Sequence, residues 1–322
     1  MNYKPILLIA GEPNSIFLEI FFKSIKIKKT KSPIILIASK KILYLQMKKL
    51  KFKKKIKILN LKNLSKYKLN NNSINLINIQ YNQKKAFEKI SFKSNNYIKK
   101  SFDVAFKIIR TGFTNKIING PISKKYFLKK KYLGVTEFIS NEFKSKKNAM
   151  LIYNKTLSVC PITTHLPLKS VIKKINSDNI KEKVFLINQF YIENFNFKPH
   201  IAVLGLNPHC ESIDKFNEDE KIIKPVINYL QKLDYLISGP YPADTIFLRE
   251  NRKKFDVILG MYHDQVLTPI KTLFEYNAIN ITLGLPFIRI SPDHGPNEIM
   301  LGKNTSNPLS LIKAITFLDK NW

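Results

Sequence analysis

The chain has 322 residues, 55 of them basic and 23 acidic, for a formal net charge of +32. With 44% hydrophobic and 11% aromatic residues it can build a core, which excludes a disordered polycation. Two cysteines, Cys160 and Cys210, cannot make a disulfide framework, no apolar run reaches the roughly 18 residues of a membrane span, and the N-terminus lacks a signal-peptide pattern, so a cytoplasmic protein is expected.

Residues 4–11, KPILLIAG, read as a buried first strand ending in glycine. A helical stretch, IFLEIFFKSI, leads to a second strand at 33–39. Residues 48–60 alternate in part and predict an edge strand or a strand after a helix end. The stretch 61–97 is polar and Asn-rich and has the weakest periodic signal. These first hundred residues hold 24 lysines, no arginine and only Glu12, Glu19 and Glu88, a net of +21. Arginine is the usual residue of bidentate phosphate and base-edge contacts, and the chain has four against 51 lysines. A joint skew toward Lys, Asn and Ile reads as compositional drift on exposed positions, so neither nucleic acid nor membrane is an expected partner.

Residues 98–112 space their apolar side chains as an amphipathic helix, and IINGP at 117–121 closes a strand with a turn. AMLIYNKTLSVCPITT (149–164) looks like two strands joined at Asn154–Lys155. Two helical stretches follow in 166–195. IAVLGL (201–206) is an apolar strand that delivers His209. Residues 218–233 form a helix with acids in its first turn that Pro225 bends or starts. FDVILGM (255–261) delivers His263, Asp264 and Gln265. INITLGLPFIRI (279–290) is followed by SPDHGPNE, and a helix near 308–319 ends the chain. Strands alternating with helices predict α/β layers with chemistry at the strand carboxyl ends. No GxGxxG fingerprint and no Walker A loop is present.

Only five histidines occur. His165, His209 and His263 follow apolar strands and can share one sheet edge, where neutral imidazoles would form a three-histidine metal site with an open position. His200 reads as structural. His294, beside Asp293 and Gly295, reads as a loop or cofactor contact. Cys210 reads as a small buried filler. Polar residues unsuited to a core gather in the same loops: Thr136, Glu137, Asp244, Thr245, Asp264, Lys271, Asn280 and Arg289. Arg289 lies in an otherwise apolar strand, where an unpaired guanidinium is costly, so an anion is expected opposite it. Lys271 is its candidate partner in holding phosphate or carboxylate.

The motifs GPISK (120–124), TEF (136–138), THLPL (164–168), LNPH (206–209), PADT (242–245), MYHDQ (261–265), NITLGLPFIR (280–289) and DHG (293–295) together resemble the 4-hydroxythreonine-4-phosphate dehydrogenase family. The match is dense over 117–303 and thin over 12–115. It implies an α/β fold of two α/β/α domains around a central cleft, like isocitrate and isopropylmalate dehydrogenases. The first domain would span 1–125 plus 300–322, and the second 126–299. It further implies a homodimer with the active site at the interface, and NAD-dependent oxidation and decarboxylation of a phosphorylated amino acid in vitamin B6 biosynthesis. Carried over residue by residue, the metal ligands fall on His165, His209 and His263, the last contributed across the dimer, with zinc, magnesium or cobalt as the ion. Substrate contacts fall on Thr136, Lys271, Asn280 and Arg289, and Asp244, Asp264 or Lys271 is the base. Asp293, His294 and Gly295 are assigned to the cofactor.

The chain departs from the family pattern in three places. Val135 stands where the family has a substrate-binding histidine. GEPNSIFLE replaces a glycine-rich loop, and CESIDKF replaces another after His209. These departures leave a second reading, a related metal- and NAD-dependent dehydrogenase of altered substrate or reduced activity, and the charge alone suggests a third, a non-enzymatic basic nucleic-acid-binding protein.

Overall fold

The computed structural model describes residues 3–128, 132, 134–214, 216–292 and 294–320. They form two compact units, one from residues 1–139 and 286–322 and the other from 140–285.

The first unit is built from β1 (Ile6–Ile9), α1 (Phe17–Ile27), β2 (Ile34–Ala38), α2 (Lys40–Lys49), β3 (Ile56–Ile58), β4 (Ile74–Asn78), α3 (Asn95–Arg110), β5 (Lys116–Asn119) and the start of α4 (Val135–Glu142). After the second unit the chain returns to it with β12 (Ile288–Pro292) and α9 (Leu309–Leu318). Its strands lie in the order β3-β4-β2-β1-β5-β12, and every pair within it is parallel. Parallel strands covered on both faces need continuous apolar runs. ILLI of β1 supplies one, with all four side chains fully buried. Each such side chain contributes about 1.5–3 kcal/mol of burial.

The second unit comprises β6 (Ala149–Tyr153), β7 (Ser158–Thr163), α5 (Ser177–Phe195), β8 (Ile201–Leu204), α6 (Lys224–Lys232), β9 (Ile237–Tyr241), α7 (Arg249–Arg252), β10 (Val257–Tyr262), α8 (His263–Phe274) and β11 (Ile279–Leu283). Its order is β11-β6-β7-β10-β8-β9. The β11–β6 and β6–β7 pairs are antiparallel, and the β7–β10, β10–β8 and β8–β9 pairs are parallel. Its core packs Val159, Leu204 and Ile258 from the sheet against Val266, Leu267 and Ile270 of α8.

Several expectations change in detail. The Asn-rich stretch contains a strand, β4, whose buried Asn75 donates to the carbonyls of Ile34 and Asn70 instead of facing water. Of the two helices expected in 166–195, only α5 is a full one; the first is a pair of single 3-10 turns at Leu168–Ser170 and Ile172–Lys174. Pro225 stands in the first turn of α6, directly after the wider helical turn Asp219–Ile223, and marks where the regular α-helix begins. INITLGLPFIRI is two strands, broken at Gly284, whose φ of +83° leaves no room for a Cβ against the Lys147 carbonyl. Among the described residues no helix is long and apolar enough to cross a membrane.

Candidate active site

Three neighbouring parallel strands of the second unit, β7, β10 and β8, end on one edge, with Tyr262 beside Thr163 in register. Each runs into a segment bearing a histidine. His165 follows β7 by two residues and His263 opens α8. His209 comes five residues after β8, not directly after it, because Gly205–Pro208 first turn the chain.

Buried and half-buried polar groups brace these three segments. The Thr163 hydroxyl donates to the Met261 carbonyl at 2.8 Å, tying β7 to β10. Gln265 accepts from the Met261 N–H at 2.7 Å and donates to the Gly205 carbonyl at 2.8 Å, tying β10 to β8. The fully buried Asp219 accepts from the N–H groups of Leu206 and Asn207. Composition pointed to the histidines and not to these braces, whose residue types are common throughout the chain.

The imidazoles of His165 and His263 lie with ring centroids 5.7 Å apart. His263 Nδ1 is 2.6 Å from Asp264 Oδ1. A proton on Nδ1 donated to that carboxylate leaves Nε2 with its lone pair for a ligand. His165, His209 and Cys210 have φ of 50°, 55° and 65°. Left-handed backbone at non-glycine residues costs on the order of 1 kcal/mol each and gathers at functional sites. His165 and His209 are exposed. Among the described residues of a single chain, no three His, Cys, Asp or Glu side chains group as a metal centre. The edge displays its imidazoles outward.

Burial pushes Cys160 up to about 12, and burial together with Asp219 pushes Cys210 up to about 11, so neither is a thiolate near neutrality. Asp244 is exposed after β9, and Lys271 is exposed in the last turn of α8. Asn280 sits on β11 with a buried Oδ1 that accepts no hydrogen bond.

In the first unit, Arg289 of β12 is almost wholly buried. Its Nε donates to Asn119 Oδ1 at 2.7 Å and its guanidinium to the Thr136 hydroxyl at 3.3 Å. Burial pulls its pKa down to about 10, opposed by the nearby Glu137 carboxylate, so it remains a cation at neutral pH. Sequence reasoning missed Asn119, because an Asn before Gly-Pro reads as a turn residue. Val135 opens α4 immediately before Thr136.

The departure at GEPNSIFLE is absorbed by packing. Phe17 is fully buried beneath Gly120, where a Cβ would stand 2.7 Å from the ring. Glu12 is buried too, accepting from the Asn14 N–H at 3.2 Å and the Ser94 hydroxyl at 2.8 Å. Burial raises its pKa above the ordinary carboxylate value, and those two donors pull it back. His294 is half-buried with its ring 6.0 Å from that of Phe17, and Gly295 faces open space. Asp293 lies outside the described residues.

Comparison with known proteins agrees with these motifs. The model of the family described as pyridoxal phosphate biosynthetic protein PdxA matches residues 29–318. A 4-hydroxythreonine-4-phosphate dehydrogenase from Sulfurihydrogenibium sp. (strain YO3AOP1) is 36% identical over 317 residues, covering 96% of each chain. That coverage takes in the N-terminal stretch where the motifs are thin. The crystal structure of a 4-hydroxythreonine-4-phosphate dehydrogenase from Klebsiella pneumoniae matches with a TM-score of 0.84 at 25% identity, covering 98% of this chain and 97% of that one. One from Burkholderia phymatum matches with a TM-score of 0.79 at 25% identity, covering 99% and 98%. The chain belongs to the PdxA family, the NAD-dependent dehydrogenases of pyridoxal phosphate biosynthesis.

Proposed function

We propose that the protein oxidises 4-phosphooxy-L-threonine at its C3 hydroxyl with NAD and decarboxylates the resulting β-keto acid to 3-amino-2-oxopropyl phosphate. The observation that carries this reading is the placement of His165, His209 and His263 beyond three adjacent parallel strands, in a chain of this family.

The donor set, imidazoles of which one has Nδ1 engaged by a carboxylate, fits a borderline divalent ion such as zinc or cobalt better than the oxygen-seeking magnesium. His165 and His209 would hold it together with the partner subunit's His263 in a homodimer. When bound, the ion lowers the pKa of the substrate hydroxyl and polarises the new carbonyl, while NAD accepts the hydride.

The protein's own groups do the rest. Asp264 is committed to His263 Nδ1, which leaves Asp244 to take the hydroxyl proton. Arg289 and Lys271 neutralise the phosphate and carboxylate, and Thr136 orients the substrate. The Asn280 Oδ1, buried without a donor, receives a hydrogen bond from the substrate. Asp293, His294 and Gly295 hold the cofactor, Gly295 from an open face that lets it approach the backbone. A departure such as Val135 removes one donor without touching this set.

NADH production on 4-phosphooxy-L-threonine with added zinc, magnesium or cobalt tests the reading, beside a His209→Ala control. Metal-dependent turnover lost in the control is the expected result; no turnover with any of the three ions overturns it.

A further inference from the structure

We propose that Asp219 is a positioning residue for the metal-binding imidazole of His209, a role that rests on the metal reading above. Asp219 lies in the turn that leads into α6, ten residues beyond His209, yet its carboxylate reaches back to the end of β8. It is fully buried. Oδ1 accepts from the Leu206 N–H at 2.7 Å, and Oδ2 accepts from the Asn207 N–H at 3.1 Å and from Asn207 Nδ2 at 2.9 Å. A buried anion with three donors is a rigid fixture.

Gln265 holds the strand end at the Gly205 carbonyl, and Asp219 holds the two residues that follow. His209 and Cys210 are consecutive left-handed residues, neither of them glycine. Their backbone is pinned by the turn bond from the Cys210 N–H to the Asn207 carbonyl at 3.0 Å, so the two residues inherit the orientation that Asp219 imposes on Asn207. The strand end is fitted to the same carboxylate. A Cβ on Gly205 would stand 2.7 Å from Asp219 Oδ1 and 2.7 Å from Cys210 Sγ. Gly205, Asp219 and Cys210 therefore interlock, and His209 is displayed from that lock. A carboxylate here serves better than an amide, because all three groups facing it are donors.

Asp219→Asn keeps the shape and turns one acceptor oxygen into an NH2 group facing N–H donors. The test is a titration of the full-length protein with Co2+, followed by calorimetry and by the visible ligand-field bands of bound cobalt, with the thermal midpoint recorded alongside. The wild type is expected to bind Co2+. Asp219→Asn is expected to bind it on the order of 10–100-fold more weakly with altered bands, and Asp219→Glu to recover part of the affinity. Asn207→Ala removes the Nδ2 donor to Asp219, and with it a longer 3.3 Å bond to Glu218, while both backbone N–H bonds to Asp219 remain; it should give a smaller loss, which keeps the inference open to refutation if Asp219→Asn fails to fold. Unchanged affinity and bands in the folded Asp219 or Asn207 variants, with wild-type binding intact, overturn the positioning role alone. Absence of Co2+ binding in the wild type overturns the metal reading and this role with it.

Discussion

The two units handle charge in opposite ways. The first holds 34 lysines and 2 arginines against 8 acids, a net of +28; the second holds 17 and 2 against 15, a net of +4. Yet in the first unit the ions that meet the core are few and specific: Glu12, Glu19, Lys116 and Arg289 are buried, each with a hydrogen-bonding partner. An exposed position can drift to lysine at little cost, whereas a buried charge without partners is expensive. The second unit is nearly neutral and displays histidines on a braced edge. The location of a charge, and not its count, separates surface from site.

The largest effect that can break this contrast concerns the displayed edge. Under the proposed function, His209→Ala and His263→Ala homodimers should each lose at least about a hundredfold in activity, more than loss of an outer partner of a metal ligand. Mixed and allowed to exchange subunits, they should recover about a quarter of wild-type activity, since half the dimers are mixed and one site in each is intact. The readout is NADH production, with native mass spectrometry to verify exchange. No recovery despite exchange would place all three ligands in one chain, an arrangement for which the 5.7 Å approach of His165 and His263 is the first requirement.

A smaller effect tests whether a buried ion of the first unit works on substrate. Arg289→Met deletes the guanidinium and leaves Asn119 and Thr136 without their donor. A charged hydrogen bond contributes about 1.5–3 kcal/mol, so KM for the phosphorylated substrate should rise roughly 10- to 100-fold, with a lesser change in kcat. A lower thermal midpoint with KM unchanged would make Arg289 a structural ion, and the first unit would then lose its claim to substrate recognition through it.

Legibility followed residue scarcity. Histidine is rare in this chain, so the three imidazoles stood out, and apolar runs such as ILLI and VILGMY announced buried strands. What braces them was hidden. Gln265 and Thr163 are ordinary polar residues whose roles depend on contacts across 98 residues (Thr163 to Met261) or 60 (Gln265 to Gly205), and Asp219 reaches back 13 residues to Leu206 across a loop with no periodic pattern. Strand β4 was obscured because Asn75 breaks its apolar pattern, and only the carbonyls of Ile34 and Asn70 explain how an amide can be buried there. The mobility of composition at the surface masked the first unit more than the second, because its helices and edge strand expose more lysine.

The smallest effect separates a structural buried ion from a functional one within the same unit. Lys116 of β5 is fully buried, its ammonium donating to the Lys320 carbonyl at 2.7 Å. Burial pulls its pKa down to about 8 from an ordinary 10.5, with Asp319 opposing the shift. A folded pKa below the unfolded one means that the folded state carries the full cost of the buried cation below pH 8. Between about 8 and 10.5 the unfolded chain binds more protons, so this group makes stability rise with pH. Lys116→Met removes both the cost and the slope. Urea unfolding at pH 7 should show the variant more stable by on the order of 1–3 kcal/mol, less whatever the lost hydrogen bond contributed. The advantage should shrink through pH 9 and be gone near 10.5. Activity should be unchanged in both proteins when assayed at pH 7, in contrast to Arg289→Met. A variant less stable than the wild type at pH 7 would show that the bond to Lys320 outweighs desolvation, and that this ion too is held by its partner.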